Sequence, residues 1–440
     1  YLITVFLLIG AGLVHSTELT VPVKKKLYQN SFLYTKWMNF PVRTLATLSN
    51  YKATLEFEKE QKNGTGFYHL SKDQQRWWLI DPQGKRYVSR AVNSVRPLNS
   101  KPGHQSFWQV WHFSLFNKQT WVESVQHLWQ QSAFNGFGAW SAIAPLQQDM
   151  PSWNEYNYSI NLSFLGGYSK QLRRDDAVLP VFDKEFRRFC KQTMRQFRRH
   201  HADPRLLGYF TDNEIKFWAI NPEDYLAIND VNDPNYQAAV NWLKSHKLFS
   251  VSLNDHQRAM FKSFVLETYL KIVTEVIREQ DKNHLIMGPR LFNHEKNNPL
   301  FMHVLGRYVD IVAINYYDKW RPTTDEMKKW TEWSGRPFLI SEFYVKAKEG
   351  GLANKAGAGW LVETQRQRGL FYQNFVLALL QSGNCIGWHW YRYRDSDADK
   401  GANKGIVNED FQVYQAFIDL VRPINQQVYT LADYFDNQNR

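Results

Sequence analysis

From Trp77 onward, short runs of β-branched and aromatic residues alternate with longer stretches of helical periodicity. That alternation predicts βα units around a parallel sheet. Eight strands are expected, at residues 86–95, 134–141, 179–182, 206–214, 284–291, 310–317, 337–344 and 385–393. Eight such units close a (β/α)8 TIM barrel, an α/β fold. Residues 77–80, the turn Asp81-Pro82-Gln83-Gly84 and the start of the first strand read as a hairpin leading into it. Residues 121–131 read as a helix, and Asp183 as the N-cap of another. After Asn254, apolar residues recur at Met260/Phe261, Phe264/Val265, Tyr269, Ile272/Val273 and Val276/Ile277. Residues 370–380 repeat that stripe and stop before Gly383, placed as a C′ glycine. Between the fourth strand and the Asn254 helix lies an insertion, 216–253, with a short helix at 236–246. Following the C-terminal end of a barrel strand, it is expected to wall the cleft.

The 440 residues have room for two or three domains, but a barrel commonly takes most of such a length, and no internal repeat or low-complexity tract divides them. The expected plan is a signal peptide at 1–16, an N-terminal extension at 17–75 packed on the barrel, and the barrel itself at 76–440. The first sixteen residues are apolar, match a signal h-region and are short for a bilayer span. Sequons at Asn63, Asn157 and Asn161 agree with a secreted, extracellular glycoprotein. Cys190 and Cys385 either pair or stay as two buried thiols.

A net charge of +12 raises nucleic acid, an acidic surface or an anionic substrate as partners. The densest basic run, 187–199, carries Phe186, Phe189, Thr193 and Phe197 at helical spacing, so it reads as the solvated face of an amphipathic helix. Neither a nucleic-acid motif nor a later membrane anchor is visible. The 13 His residues form no HExxH motif, and no metal or cofactor is expected. A sulfated or otherwise acidic polysaccharide or oligosaccharide is one candidate for an anionic partner, and a monomer is expected. The 17 Trp residues serve either the core or sugar stacking.

Glycoside hydrolysis needs one carboxyl to protonate the leaving oxygen and a second to attack the anomeric carbon or activate water. Glu214 ends the run LLGYFTDNE, and Glu342 interrupts PFLISEFYV. A carboxylate on a buried strand is costly without partners or a task. Two of them, on the expected fourth and seventh strands, sit where barrel loops build active sites. The alternative for each is a salt bridge beneath the rim. As a catalytic pair, Glu342 should be ionised and Glu214 should hold a proton at a raised pKa.

The Asn-Glu pair on one strand and a Glu three units later are the layout of the retaining (β/α)8 glycosidase clan. Within it the chain resembles the β-agarases of glycoside hydrolase family 50, over roughly 77–418. The matching segments are LLGYFTDNE, INYY from Ile314 to Tyr317, LISEF around Glu342, GWHWYRYRD from Gly387, QRGLFYQNFVLALLQS before it, and more weakly FNGFGAWS from Phe134. The resemblance implies Glu214 as acid/base, Glu342 as nucleophile, and Asn213 on the sugar 2-hydroxyl. It also implies Tyr316 or Tyr317 on the nucleophile, and Trp140, Trp388, His389 and Trp390 along the subsites. Asn93, near the end of the first strand, completes the candidate substrate-binding set. Alternation puts Trp388 and Trp390 on one strand face and His389 and Tyr391 on the other, so one set alone reaches the cleft. Arg392, Arg394 and Asp395 are read as grips for hydroxyls or sulfates, or as surface pairs.

The implied reaction is double-displacement cleavage of β-glycosidic bonds in a galactan such as agarose or a sulfated relative. Two alternatives stand beside it: a non-catalytic carbohydrate-binding or matrix protein on a degenerate barrel, and a same-clan enzyme acting on another β-glycan. The stretch after Glu342, rich in Gly and Ala, departs from the family pattern and leaves substrate and exo or endo action open.

Overall fold

Parallel strands buried on both faces need apolar residues on both, and the expected runs supply them. In the computed structural model, eight parallel strands form one sheet: β1 (Ser89–Val92), β2 (Gly136–Phe137), β3 (Asn157–Asn161), β4 (Leu206–Asn213), β5 (Leu285–Arg290), β6 (Val312–Asn315), β7 (Phe338–Phe343) and β8 (Cys385–Trp390). The structure describes residues 19–24, 37–52, 64–73, 76–97, 118–173, 177–249, 251–395 and 401–438. The signal segment 1–16 and the sequon at Asn63 lie outside them. Each strand pairs with its neighbours in the order β5-β4-β3-β2-β1-β8-β7-β6. The ring closes between β5 and β6, where Leu291 N–H donates to Ala313 O (2.9 Å) and Asn315 N–H to Leu291 O (2.8 Å).

Alternation along the strands builds two cores. Leu207, Phe210, Leu285, Met287, Ile311, Ala313, Leu339 and Ile386 fill the barrel interior. Tyr209, Ile286, Val312, Ile314, Phe338 and Ile340 face the helical layer. Below, a three-stranded antiparallel sheet (His69–Asp73, Arg76–Ile80, Arg86–Tyr87) brings Leu79, Trp77 and Tyr68 against the interior cluster and plugs the bottom. Its turn is tied by Asp81, whose Oδ1 accepts from Gln83 N–H (3.0 Å) and Lys85 N–H (2.8 Å).

The third strand differs from expectation. The apolar run 179–182 is buried as far as Val181 but is not a strand: Leu179 exchanges hydrogen bonds with the Tyr225 hydroxyl, and Val181 is fully covered. The strand is Asn157–Asn161, whose Tyr158 and Ile160 face the helices while the Asn157 amide donates to the Tyr87 hydroxyl (2.7 Å). A polar inward face hid its pattern. The same placement withdraws the sequon at Asn157, which is 1% exposed.

The basic helix Lys184–Arg195 buries Phe186, Cys190 and Met194, a row beside the expected Phe186/Phe189/Thr193 stripe. Its outer face pairs Arg187 with Glu275 and Glu279. Asp183 holds the N-cap position without a side-chain cap bond, whereas Asn254 caps helix Asp255–Gln280 through Gln257 (2.9 Å). Gly383, at φ 67°, follows helix Gln365–Gln381. Cys190 and Cys385 are separate buried thiols. The insertion helix Pro234–Ser245 lies along the flank of Asp255–Gln280, with Trp242 against Phe261 and Phe264. Above the barrel, Thr20–Val23 pairs with Met38–Pro41, and Lys24 bridges to Leu361 in the segment after β7. Among the described residues no helix is long and apolar enough to cross a membrane.

Candidate active site

Polar residues end four successive apolar strands, and closure of the barrel brings them together. Glu214 follows β4, Arg290 ends β5, Asn315 ends β6, and Ser341 and Glu342 lie near the end of β7. Asn315 Nδ2 donates to Glu214 Oε1 (2.8 Å) and Asn213 Oδ1 (3.2 Å), while Ser341 Oγ donates to Asn315 Oδ1 (2.7 Å). Arg290 Nη2 reaches Glu342 Oε1 (2.9 Å) and Ser341 O (2.8 Å). Tyr317 Oη donates to Glu342 Oε2 (2.7 Å). One hydrogen-bonded chain thus spans both carboxyl groups.

Backbone geometry aims them. Glu214 sits at φ 52°, a left-handed conformation rare for a residue with a side chain, and its N–H donates to Arg290 O (3.1 Å). That kink turns its carboxyl out of the strand's alternation. Tyr317 is fixed in turn by Tyr344, with ring centroids 4.9 Å apart. The glycines of the segment after β7 explain this wrap: a Cβ at Gly357 would lie 2.1 Å from the Tyr344 hydroxyl.

The two carboxyl groups have opposite surroundings. Burial pushes Glu214 up from 4.5 to about 7, the charge of Glu342 adds to it, and the Asn315 hydrogen bond opposes it. Glu342 instead receives a guanidinium and a phenol, contacts suited to an anion. Burial, then the Glu342 charge, drives the Tyr317 hydroxyl well above its ordinary range, so it remains a donor. Arg290 is fully buried, its guanidinium 4.4 Å from the Trp140 ring centre and 5.2 Å from Phe210. Lys404 adds positive charge on this side, 5.1 Å from the Tyr344 ring. Removing the Tyr317 hydroxyl alone takes one charge-assisted bond from Glu342. Tyr317→Phe should lower kcat by about tenfold to a hundredfold. Steady-state kinetics with an unchanged thermal midpoint checks this; an unaltered kcat refutes it.

The other expected site residues divide. Asn213 and Trp140 lie at the mouth, partly exposed, with Trp140 edge-on to Tyr391 at 6.2 Å. Asn93 is fully buried on the floor and donates to Ser341 O (2.8 Å). Trp388 and Trp390 do not reach the cleft. Both are buried among the helices, where Trp388 Nε1 donates to the Tyr372 hydroxyl (2.7 Å) and Trp390 Nε1 to Lys404 O (2.9 Å). His389 and Tyr391 take the inward face. His389 is a fully buried floor residue, 3.0 Å from Ser89 Oγ, and burial, helped by Arg290, drops its pKa to about 3. Tyr316 also faces outward, to Glu326 (3.3 Å) and Trp330, leaving Tyr317 on Glu342. Asp395 is no surface grip: fully buried, it accepts from Lys404 N–H, Asn403 and Tyr414. Sequence reading missed Arg290, Asn315 and Ser341, although each is a polar residue in a buried run, the signal that singled out Glu214. Among the described residues no cluster of His, Cys, Asp or Glu could hold a metal.

No family model matches the chain. It is similar to β-agarase B of Vibrio sp. (strain JT0107), at 22% identity over 84% of this chain. The chain spans about half the length of that relative, 49%. Among solved structures it is similar to BpGH50, with 26% identity and a TM-score of 0.80, covering 95% of this chain and 96% of that one. An exo-β-agarase structure shares the fold, with 18% identity and a TM-score of 0.69 over 84% of this chain and 66% of that one.

Proposed function

We infer that this β-agarase-like chain is a retaining β-glycoside hydrolase, with Glu214 as acid/base and Glu342 as nucleophile. The observation that carries the reading is the division of labour between the two carboxyl groups: one holds its proton to about pH 7, the other is clasped by Arg290 and Tyr317. In the first step Glu342 attacks the anomeric carbon as the glycosidic C–O bond breaks, and the Glu214 proton passes to the departing oxygen. In the second, Glu214, now ionised, takes a proton from water, whose oxygen displaces Glu342 from the sugar. The proton returns to Glu214 and the configuration is retained. Asn213 and Trp140, both partly exposed at the mouth, would meet the sugar. Asn93 acts from beneath, through Ser341.

A galactan such as agarose, or a sulfated relative, is the proposed substrate, on the likeness to β-agarase B and the net charge of +12. Residues 76–440 form the proposed catalytic unit with 17–75 packed on it. A cleaved segment 1–16 would deliver it to the extracellular polymer. The test is incubation with agarose, a sulfated galactan and plain β-glucans, following new reducing ends by proton NMR. The β-anomer should appear first, from a galactan. Initial release of the α-anomer would overturn the mechanism, and preference for a glucan would overturn the substrate.

A further inference from the structure

A cavity of roughly 680 Å³ opens beside the segments that follow β4 and β5, and Trp218, Arg258, Lys262, His294, Glu295 and Phe301 line it. It lies within the size range of ordinary small-ligand sites. Trp218 stands four residues beyond Glu214 and is 38% exposed, unusual for a side chain of its size. Glu295 is the opposite, a carboxyl only 4% exposed. Its Oε1 accepts from Trp218 N–H (3.1 Å), and its Oε2 is buried with no hydrogen-bond partner. Lys262 Nζ donates to Trp218 O (2.6 Å), so the backbone carrying the indole is held from both sides.

An orphaned carboxyl oxygen in the wall of a cavity is expensive unless something donates to it. An exposed indole ring beside it offers an apolar face. An apolar plate next to convergent hydrogen-bonding groups matches a pyranose, with C–H bonds on its face and hydroxyls at its edge. The acid meets the glycosidic oxygen at the border of the leaving group, and Trp218 lies four residues beyond it.

We propose that this cavity is a saccharide-binding subsite, taking sugar units of the leaving portion on Trp218 with their hydroxyls donated to Glu295. It rests on the hydrolase reading for the identity of its ligand. Burial raises Glu295 to about 7, so it also serves as a hydroxyl donor in mildly acidic solution.

The test is calorimetric binding of an agarose-series disaccharide and hexasaccharide to the full chain carrying Glu342→Gln. The hexasaccharide should bind more tightly by about tenfold, the order expected for one stacked ring. Adding Trp218→Ala should erase that gain. Glu295→Gln, which keeps an acceptor for Trp218 N–H and so preserves the segment, should reduce it severalfold. A gain that survives both substitutions, or no gain with length, overturns the subsite. Length- and Trp218-dependent binding without turnover by the unsubstituted chain would leave the subsite standing and sink the hydrolase reading instead.

Discussion

Glu342→Gln is expected to lower kcat by about four orders of magnitude or more, as removal of a covalent nucleophile does elsewhere. The amide keeps the shape of the side chain and an acceptor for Tyr317 or Arg290, so binding should survive while attack on the anomeric carbon is lost. The substitution also leaves Arg290 without its anion. A buried guanidinium deprived of its partner is destabilising by about 3–5 kcal/mol, offset here by the Ser341 carbonyl and the Trp140 ring. A lower thermal midpoint is therefore expected alongside the loss of turnover. The two effects separate with Glu342→Gly and added azide. The small anion fits the vacated space, attacks an aryl β-glycoside directly, and should yield the α-glycosyl azide. Recovery of the β-product, or turnover by Glu342→Gln within tenfold of the parent, would remove Glu342 from the nucleophile's place.

The carboxyl pair was legible because a charge in an apolar run conflicts with its neighbours, and a task resolves the conflict. The same conflict marks Arg290 after LIMGP and Asn315 after VAI, but an Arg or Asn at a strand end passes for the start of a loop. Strand parity was harder. In β8 every residue from Cys385 to Trp390 is buried, so nothing in composition says which face is the barrel interior. The resemblance implies Trp388 and Trp390 along the subsites, but the helical layer holds them, because a barrel interior of this width takes His389 beside Phe210 and Ser89 but not two indoles. β3 was hidden for the converse reason, since Asn157 and Ser159 turn polar side chains inward. A barrel whose lumen is partly polar weakens the alternation on which strand prediction depends.

Glu214→Gln should cost activity and increase stability, with opposite dependence on pH. The parent acid is competent while protonated, so kcat/KM should fall above about pH 7. The variant should lose about three orders of magnitude on a natural glycan, and less on a dinitrophenyl glycoside, whose leaving group needs no proton. For stability the raised pKa sets the sign. Below about pH 4.5 both folded and unfolded Glu214 are protonated, and its contribution is complete. Between 4.5 and about 7 the unfolded chain releases a proton that the folded chain keeps, so stability declines as pH rises. Above 7 the folded protein carries a desolvated charge beside Glu342, at a cost of about 3 kcal/mol. Gln removes that cost and still accepts from Asn315 Nδ2. Denaturant unfolding of both proteins should coincide near pH 4.5 and diverge in favour of the variant by pH 8. A difference that does not grow with pH, or a variant weaker than the parent at pH 8, would mean that Glu214 and Glu342 do not share one desolvated site, and the double-displacement assignment would go with it.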